Sequence, residues 1–319
     1  MNMIWKKQTA LTLLLALPMS SSLVCLTSSL SCPAAYAQAG EQGQSQAESG
    51  ASEKITFSNL SPKQGEVVEV KIFPDAAAGT AANSTDSKEQ GPPVEFNNST
   101  VSSFPFEENG RSGFRALFTV PVVLKTGSKT VKVGSQSFKI KVVDGKYPVQ
   151  RLWLPASKNN FNTAPGEEEA VDKAKATVSN VRHWKGNFSA PSKARTSAGF
   201  GLRRIVNGKL LDDYFHSGVD FAGGLGSPVK ATAPGKVILA VSKGFKLHGN
   251  TIAIDHGQGV VSFYIHLNKV LVKEGQMVKQ GDLIGQIGQT GRANGPHLHF
   301  SIYCNKNASM PSQWFNSAL

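Results

Sequence analysis

The sequence predicts an all-β protein with a β-sandwich, a short helical linker and a second β-rich domain. Short runs of β-branched and aromatic residues recur along the chain between clusters of Gly, Pro, Asn and Ser, a pattern typical of strands and turns. One stretch, 166–181, has the features of a helix. The chain has 319 residues, which is too long for one ordinary domain.

The first 53 residues precede the predicted domains. Residues 1–37 have the features of a secretory signal peptide: two lysines, a Leu- and Ala-rich run, and small residues that place cleavage after Ala37 or Ala39. Residues 38–53 are rich in Gln, Gly, Ser and Ala without apolar periodicity, which indicates a flexible leader. We therefore expect export to the periplasm or cell envelope, without a transmembrane anchor.

The cysteines raise one alternative. Cys25 or Cys32 could be the lipidated residue of a lipoprotein signal, but neither follows the usual apolar and small residues, so lipid anchoring is the less favoured interpretation. Cleavage after Ala37 would leave Cys304 as the sole cysteine of the mature protein. It would then have no internal disulfide.

Residues 54–147 are predicted to form the sandwich. The domain contains no His or Cys and no cluster of carboxylates that resembles a site, so we expect it to position or shield the second domain. Residues 76–93 have the composition of a loop. The strands are predicted at 66–73, 114–120, 129–134 and 137–143.

Residues 148–184 form the predicted linker. Within it, 166–181 has acidic residues in the first turn, with Lys173 and Lys175 further along, an order that suits the helix dipole. We interpret these charges as a solvated helix face.

Residues 185–319 form the second domain, which is rich in Gly. Strands are predicted at 235–241, 250–257 and 260–267. Two segments also resemble the hairpins of lipoyl- and biotin-carrier barrels. A carrier, however, needs a modified lysine at a hairpin tip and has no use for the His and Asp residues found here.

Those His and Asp residues have the spacing of a metal site. His297 and His299 are two residues apart, so in a strand their side chains point to the same face. His216 lies four residues before Asp220 in a Gly-rich stretch that favours a loop and strand. A catalytic zinc ion takes three protein ligands and leaves a fourth position for water. His216, Asp220 and one of the later histidines would complete such a set.

From about Ser197 to Ile302 the sequence resembles the lysostaphin-like (LytM-type) zinc endopeptidases, which cut the peptide bridges of bacterial peptidoglycan. Seven motifs occur in the family's order, among them FGLRR, HSGVDFAG, FYIHL and GPHLHF. The resemblance implies the lysostaphin-like fold for the second domain. A looser resemblance implies an immunoglobulin-like fold for the sandwich.

The resemblance also implies a site with one zinc ion per chain. Its ligands would be His216, Asp220 and His299, with His266 and His297 as catalytic histidines that do not bind the metal. One departure is a serine that directly follows HLHF, where many members carry Glu. Because Ser301 lies outside the ligand set, we expect it to affect substrate detail rather than chemistry.

The implied function is hydrolysis of the peptide crosslinks of peptidoglycan, with peptidoglycan peptide stems and crosslinks as the partner. The alternative is a non-enzymatic peptidoglycan-binding or amidase-activating relative, but such proteins typically lack a ligand, and here all five positions are filled. Four residues within the matched motifs are expected to line the cleft: Arg203, Asn250, Tyr264 and Arg292.

The three remaining histidines are expected to lie outside the site. His256 follows a strand and opens a turn, so we expect a structural role. His183 and His248 have no spaced partners and are expected at the surface.

The charge distribution is consistent with an acidic substrate. The formal net charge is +12, and residues 183–319 hold 15 Lys and Arg against 6 Asp and Glu, a balance of +9. An exported protein rarely meets nucleic acid, so we expect no nucleic-acid partner. A positive surface would attract acidic peptidoglycan, with solubility alone as the alternative. The sequence identifies no regulatory partner.

Overall fold

Strands dominate the structure, as the sequence predicted. The computed structural model describes residues 54–74, 90–153, 161–317 and 319. The predicted signal peptide, the leader and most of the 76–93 loop lie outside the described residues. The described helices are α1 (Glu167–Lys175) and α2 (Pro311–Asn316). The strands are β1 (Lys54–Phe57), β2 (Val67–Phe73), β3 (Val94–Phe96), β4 (Ser99–Val101), β5 (Phe104–Glu108), β6 (Arg111–Thr119), β7 (Gly127–Val133), β8 (Gln136–Val142), β9 (Val149–Leu152), β10 (Arg195–Ala198), β11 (Arg203–Val206), β12 (Lys209–Phe215), β13 (Val219–Ala222), β14 (Pro228–Lys230), β15 (Gly235–Val241), β16 (Asn250–Gly257), β17 (Val260–Val270), β18 (Met277–Val278), β19 (Leu283–Ile287), β20 (Leu298–Cys304) and β21 (Asn307–Ser309).

The first eight strands form the predicted sandwich. One antiparallel sheet has the order β1-β2-β6-β5 and the other β4-β3-β7-β8. Alternate residues of β2, including Val68, Val70 and Ile72, are fully buried, so each sheet contributes one apolar face to the core between them. The four predicted strands correspond to β2, β6, β7 and β8.

The second domain is built on a ten-stranded sheet. Its main path is β10-β13-β20-β17-β16-β15-β18, with β14, β19 and β21 attached beside it. Strands β16 and β17 are buried along most of their length because both faces of the sheet are covered. One face packs against a core that includes Trp184 and Trp314, and the other packs against α1.

The linker packs against this sheet rather than extending into solvent. Val171 and Ala174 of α1 pack with Phe263 on the outer face of the sheet. The helix is shorter than the predicted 166–181. Strand β9, which was not predicted, pairs in parallel with β11. Within the described ranges, no helix is long and apolar enough to span a membrane.

The sandwich is hydrogen-bonded to the C-terminal part of the chain. The Val67 N–H donates to Gln313 Oε1 at 2.7 Å, and Gln313 Nε2 donates to the Val67 carbonyl at 2.8 Å. Asn305 Nδ2 donates to the Leu117 carbonyl at 2.8 Å. Since Val67 and Leu117 also belong to the core of the second domain, an apolar contact accompanies these bonds.

Candidate metal centre

Neighbouring strands bring the predicted ligands together. Asp220 on β13 lies directly opposite His299 on β20, so the two side chains share one face of the sheet. His216 lies in the turn just before β13. This turn approaches β20 so closely that a Cβ atom at Gly218 would clash with the Phe300 carbonyl.

The three predicted ligands converge on one point. Each of three atoms lies 2.9 Å from the other two: His216 Nε2, Asp220 Oδ1 and His299 Nδ1. Donor atoms at about 2.0–2.2 Å from a tetrahedral zinc ion lie about 3.3–3.5 Å apart. A small expansion of this triangle would therefore match a metal ion, and two imidazoles with one carboxylate suit zinc.

Hydrogen bonds orient both histidines of this triangle. His216 Nδ1 lies 2.7 Å from the Gly199 carbonyl, which can only accept, so Nδ1 carries the proton and Nε2 presents its lone pair. His299 Nε2 lies 2.8 Å from Ser301 Oγ, which leaves Nδ1 facing the other two donors. Such bonds to the far ring nitrogen are typical around metal-binding histidines.

Burial and the neighbouring side chains set the charges of the centre. Burial lowers the pKa of His299 to about 4, so its imidazole is neutral at neutral pH. Burial opposes ionisation of Asp220, but the adjacent imidazoles of His216 and His299 outweigh it and hold the Asp220 pKa well below its usual range. Neutral imidazole and ionised carboxylate are the forms that bind metal.

Two further histidines border the triangle. The ring centroids of His266 and His297 are 4.9 Å apart, and those of His266 and His299 are 6.4 Å apart. His297 Nε2 lies 4.0 Å from Asp220 Oδ1. His266 Nδ1 lies 2.9 Å from the Thr290 carbonyl, and His297 Nδ1 lies 2.8 Å from the Gly295 carbonyl. Because a carbonyl can only accept, Nδ1 carries a proton in both rings, and Nε2 is the nitrogen left to face the centre.

A β-bulge aims His266 at the centre. Tyr264 and Leu267 both face the inner core, although two residues lie between them, and the pairing of β16 with β17 shifts at this point. His266 is the extra residue, with φ of +63°. A left-handed conformation at a residue other than glycine costs about 1–3 kcal/mol and is common at functional sites.

The second domain is similar to known peptidases. Residues 214–311 match the model of peptidase family M23. These residues form a peptidase M23 domain. The peptidoglycan DD-endopeptidase ShyB of Vibrio cholerae is 42% identical over 108 residues, which are 33% of this chain and 24% of that protein. The DD-carboxypeptidase/endopeptidase Mpg of Neisseria meningitidis is 39% identical over 111 residues, which are 35% of this chain and 25% of that protein.

A solved structure is similar over a larger part of the chain. A Pseudomonas aeruginosa protein assigned to peptidase M23 is 28% identical with a TM-score of 0.52, over 72% of this chain and 90% of that one. The chain thus spans about a quarter of the length of the two curated relatives but most of this structural neighbour.

Two of the four residues expected to line the cleft of the M23 domain have other roles. The prediction for Tyr264 is wrong: its side chain is fully buried, and its hydroxyl contacts the Thr232 N–H at 2.9 Å and Ser262 Oγ at 3.1 Å. Asn250 Nδ2 donates to the carbonyls of Leu267 and Asn268, so its amide hydrogens hold the main chain.

The two arginines remain candidates for substrate contact. Arg203 begins β11 and is partly buried. The Arg292 guanidinium lies 4.0 Å from the centre of the Phe161 ring, which belongs to the linker. The linker therefore reaches the loop between β19 and β20, which also carries Thr290.

The expectation that His248 lies at the surface is wrong: it is partly buried, and its Nδ1 lies 2.8 Å from Oε1 of the buried Glu167. Ser301 is not one of the three converging residues, but its Oγ contacts His299. His256 is fully buried between the Pro234 carbonyl and Ser262 Oγ, in agreement with a structural role.

Proposed function

We propose that this protein is a zinc-dependent endopeptidase that hydrolyses peptide crosslinks of bacterial peptidoglycan. The supporting observation is the convergence of three electron-rich atoms, His216 Nε2, Asp220 Oδ1 and His299 Nδ1, each 2.9 Å from the other two. Their lone pairs and the carboxylate charge would repel one another, and a cation between them removes that repulsion.

A zinc ion in this position would supply an acidic water and polarise the carbonyl of a peptide bond. The adjacent histidines would move the protons. His297 is the more exposed of the two and keeps Nε2 as an acceptor near Asp220, so we assign it the role of general base and of proton donor to the leaving amine.

His266 would stabilise the negative oxygen that develops on the peptide carbonyl. Its Nδ1 is bonded to the Thr290 carbonyl, so only Nε2 can face a substrate, and it donates when the ring is protonated. Burial, with repulsion from His299 and His297, lowers the pKa of His266 to about 3. A developing oxyanion would favour its protonated form.

The names of the relatives support a peptidoglycan substrate. ShyB is a peptidoglycan DD-endopeptidase, and Mpg is a DD-carboxypeptidase/endopeptidase. The positive charge of the second domain fits an acidic polymer. A peptidoglycan substrate would require a location in the cell envelope, which the predicted signal peptide would also provide.

The test is hydrolysis of purified peptidoglycan with and without a zinc chelator, with the released fragments identified by mass. We expect release of uncrosslinked stem peptides that stops on chelation and returns with added zinc. Release that is insensitive to chelation would contradict the zinc mechanism. Bound zinc without release from any wall type would favour the non-enzymatic alternative.

Three variants separate metal binding from proton transfer. His299→Ala should lose both bound zinc and activity. His297→Ala should keep its zinc and lose about 10²–10⁴-fold in kcat, the usual contribution of a general acid or base. His183→Ala is the matched control outside the centre and should keep both.

A further inference from the structure

A buried carboxylate from the linker contacts the second domain near the metal centre. Glu167 is the first residue of α1 and is fully buried, whereas Glu168 and Glu169 beside it are exposed. A carboxylate is rarely buried unless both oxygens are satisfied. The partners of Glu167 therefore indicate what this charge does.

The Glu167 carboxylate accepts five hydrogen bonds. Three come from consecutive main-chain N–H groups of Lys246, Leu247 and His248, at 2.7, 3.0 and 2.8 Å. The others come from His248 Nδ1 and the Ala164 N–H, both at 2.8 Å. Burial opposes ionisation, but these bonds outweigh it and lower the pKa of Glu167 to about 2. An ionised carboxylate thus fixes the main chain of 246–248.

The segment 246–248 in turn holds His266. The His248 carbonyl accepts the His266 N–H at 3.0 Å, and the Leu247 carbonyl accepts the Arg292 N–H at 2.9 Å. The loop that contains Arg292 also provides the Thr290 carbonyl, which binds His266 Nδ1. Both the main chain and the imidazole of His266 are therefore fixed through groups that contact 246–248.

The conformation of His266 makes this support necessary. Its φ of +63° is unfavourable for a residue with a Cβ atom and persists only where the surroundings hold it. Among the residues that the structure describes, no strand pairs with segment 246–248, and Glu167 binds each of its three N–H groups.

We infer that Glu167 is a positioning residue that keeps His266 aimed at the metal centre by fixing segment 246–248. This inference rests on the proposed function, because it gives His266 a part in the reaction. It also assigns the linker helix a role in catalysis, although the helix contributes no group to the centre.

The main test replaces Glu167 with its isosteric amide. Glu167→Gln removes the charge and places an NH₂ group among N–H donors, so the segment should lose its fixed position. We expect kcat to fall roughly tenfold to hundredfold, as small misplacements of catalytic groups do, with KM and zinc content little changed. Glu168→Gln makes the same chemical change on the exposed side of α1 and should match the wild type.

A second readout is independent of substrate. The Nδ1 proton of His266, bonded to the Thr290 carbonyl, should give a protected downfield NMR signal that is absent from His266→Gln. In Glu167→Gln this signal should shift and exchange faster with water. His248→Ala removes one of the five hydrogen bonds to Glu167 and should change the signal in the same direction by a smaller amount. His248→Asn should restore this hydrogen bond and the wild-type signal.

The outcomes distinguish this inference from the proposed function. An unchanged His266 signal in both Glu167→Gln and His248→Ala, with wild-type kcat, would overturn the positioning role. A wild-type protein without hydrolysis would contradict the proposed function, and the NMR comparison would still decide whether Glu167 positions His266. If Glu167→Gln does not fold, comparison of His248→Ala with His248→Asn provides the same test.

Discussion

Replacing Ser301 with alanine is expected to weaken zinc binding while the fold persists. Ser301 Oγ lies 2.8 Å from His299 Nε2, and the serine is 1% exposed. The substitution removes this hydrogen-bond partner without removing an apolar contact of similar size. The His299 ring is then free to change tautomer or rotate, which would turn Nδ1 away from the metal position.

The magnitude follows from the role of Ser301 as a partner of a predicted metal ligand. Loss of a hydrogen-bond partner of a metal-binding histidine typically costs about 10- to 100-fold in affinity, which is about 1.4–2.8 kcal/mol. We therefore expect the zinc dissociation constant of Ser301→Ala to rise about 10- to 100-fold. The buried donor left without a partner also lowers the free energy of unfolding by about 1–3 kcal/mol, with or without zinc.

The assay is a competition titration of the metal-free protein with a chromophoric zinc chelator. Ser262→Ala is the matched control, because Ser262 Oγ also lies 2.8 Å from a histidine Nε2, that of His256, and is fully buried. His256 is not part of the metal centre, so the control should lose stability and keep its zinc affinity. A dissociation constant for Ser301→Ala within about twofold of the wild type would refute the argument.

Three further predictions concern stability. Tyr264→Phe should lower the free energy of unfolding by about 1–3 kcal/mol by chemical denaturation and leave KM unchanged, because the hydroxyl is buried; a raised KM would restore Tyr264 to the cleft. Gln313→Ala should cost about 1–3 kcal/mol, since both main-chain groups of Val67 lose their partner, while the exposed Ser312→Ala should stay within about 0.5 kcal/mol. The Glu167 pKa is lowered from 4.5 to about 2, so its contribution to stability is complete above about pH 5 and disappears as the pH falls through that range. His248 is the titratable group that faces Glu167. On acidification, the difference in free energy of unfolding between the wild type and Glu167→Gln should shrink by up to about 3 kcal/mol. A difference that stays the same at every pH would contradict this.

Much of the fold could be predicted because strand patterns are local. The predicted strands at 235–241 and 250–257 coincide with β15 and β16. The β9 strand was missed because it is defined by its pairing with β11, about fifty residues later in the chain. Pairing partners at that separation leave no periodic signal in either segment.

The same limit applies to the residues around the centre. His216 and Asp220 are close together in the sequence, as are His297 and His299, so their spacing alone predicted a metal site. Glu167 lies in an acidic run that resembles a solvated helix face, and only the distant N–H groups of 246–248 distinguish it from its neighbours.

Tyr264 and His266 show why a position within a matched motif does not decide which side chains line the cleft. In a regular strand, residues two apart share a face, so if His266 lines the cleft, Tyr264 is expected to line it too. The bulge at His266 breaks this rule: Tyr264 faces the inner core and His266 the metal centre, because one extra residue shifts the alternation. A left-handed histidine has no sequence signal, as glycine would have. The conformation is instead held by hydrogen bonds that His266 donates to the carbonyls of His248 and Thr290, which lie in two other parts of the chain. The feature that makes the centre possible is thus a tertiary one, and the Glu167 variants test how far it depends on the linker.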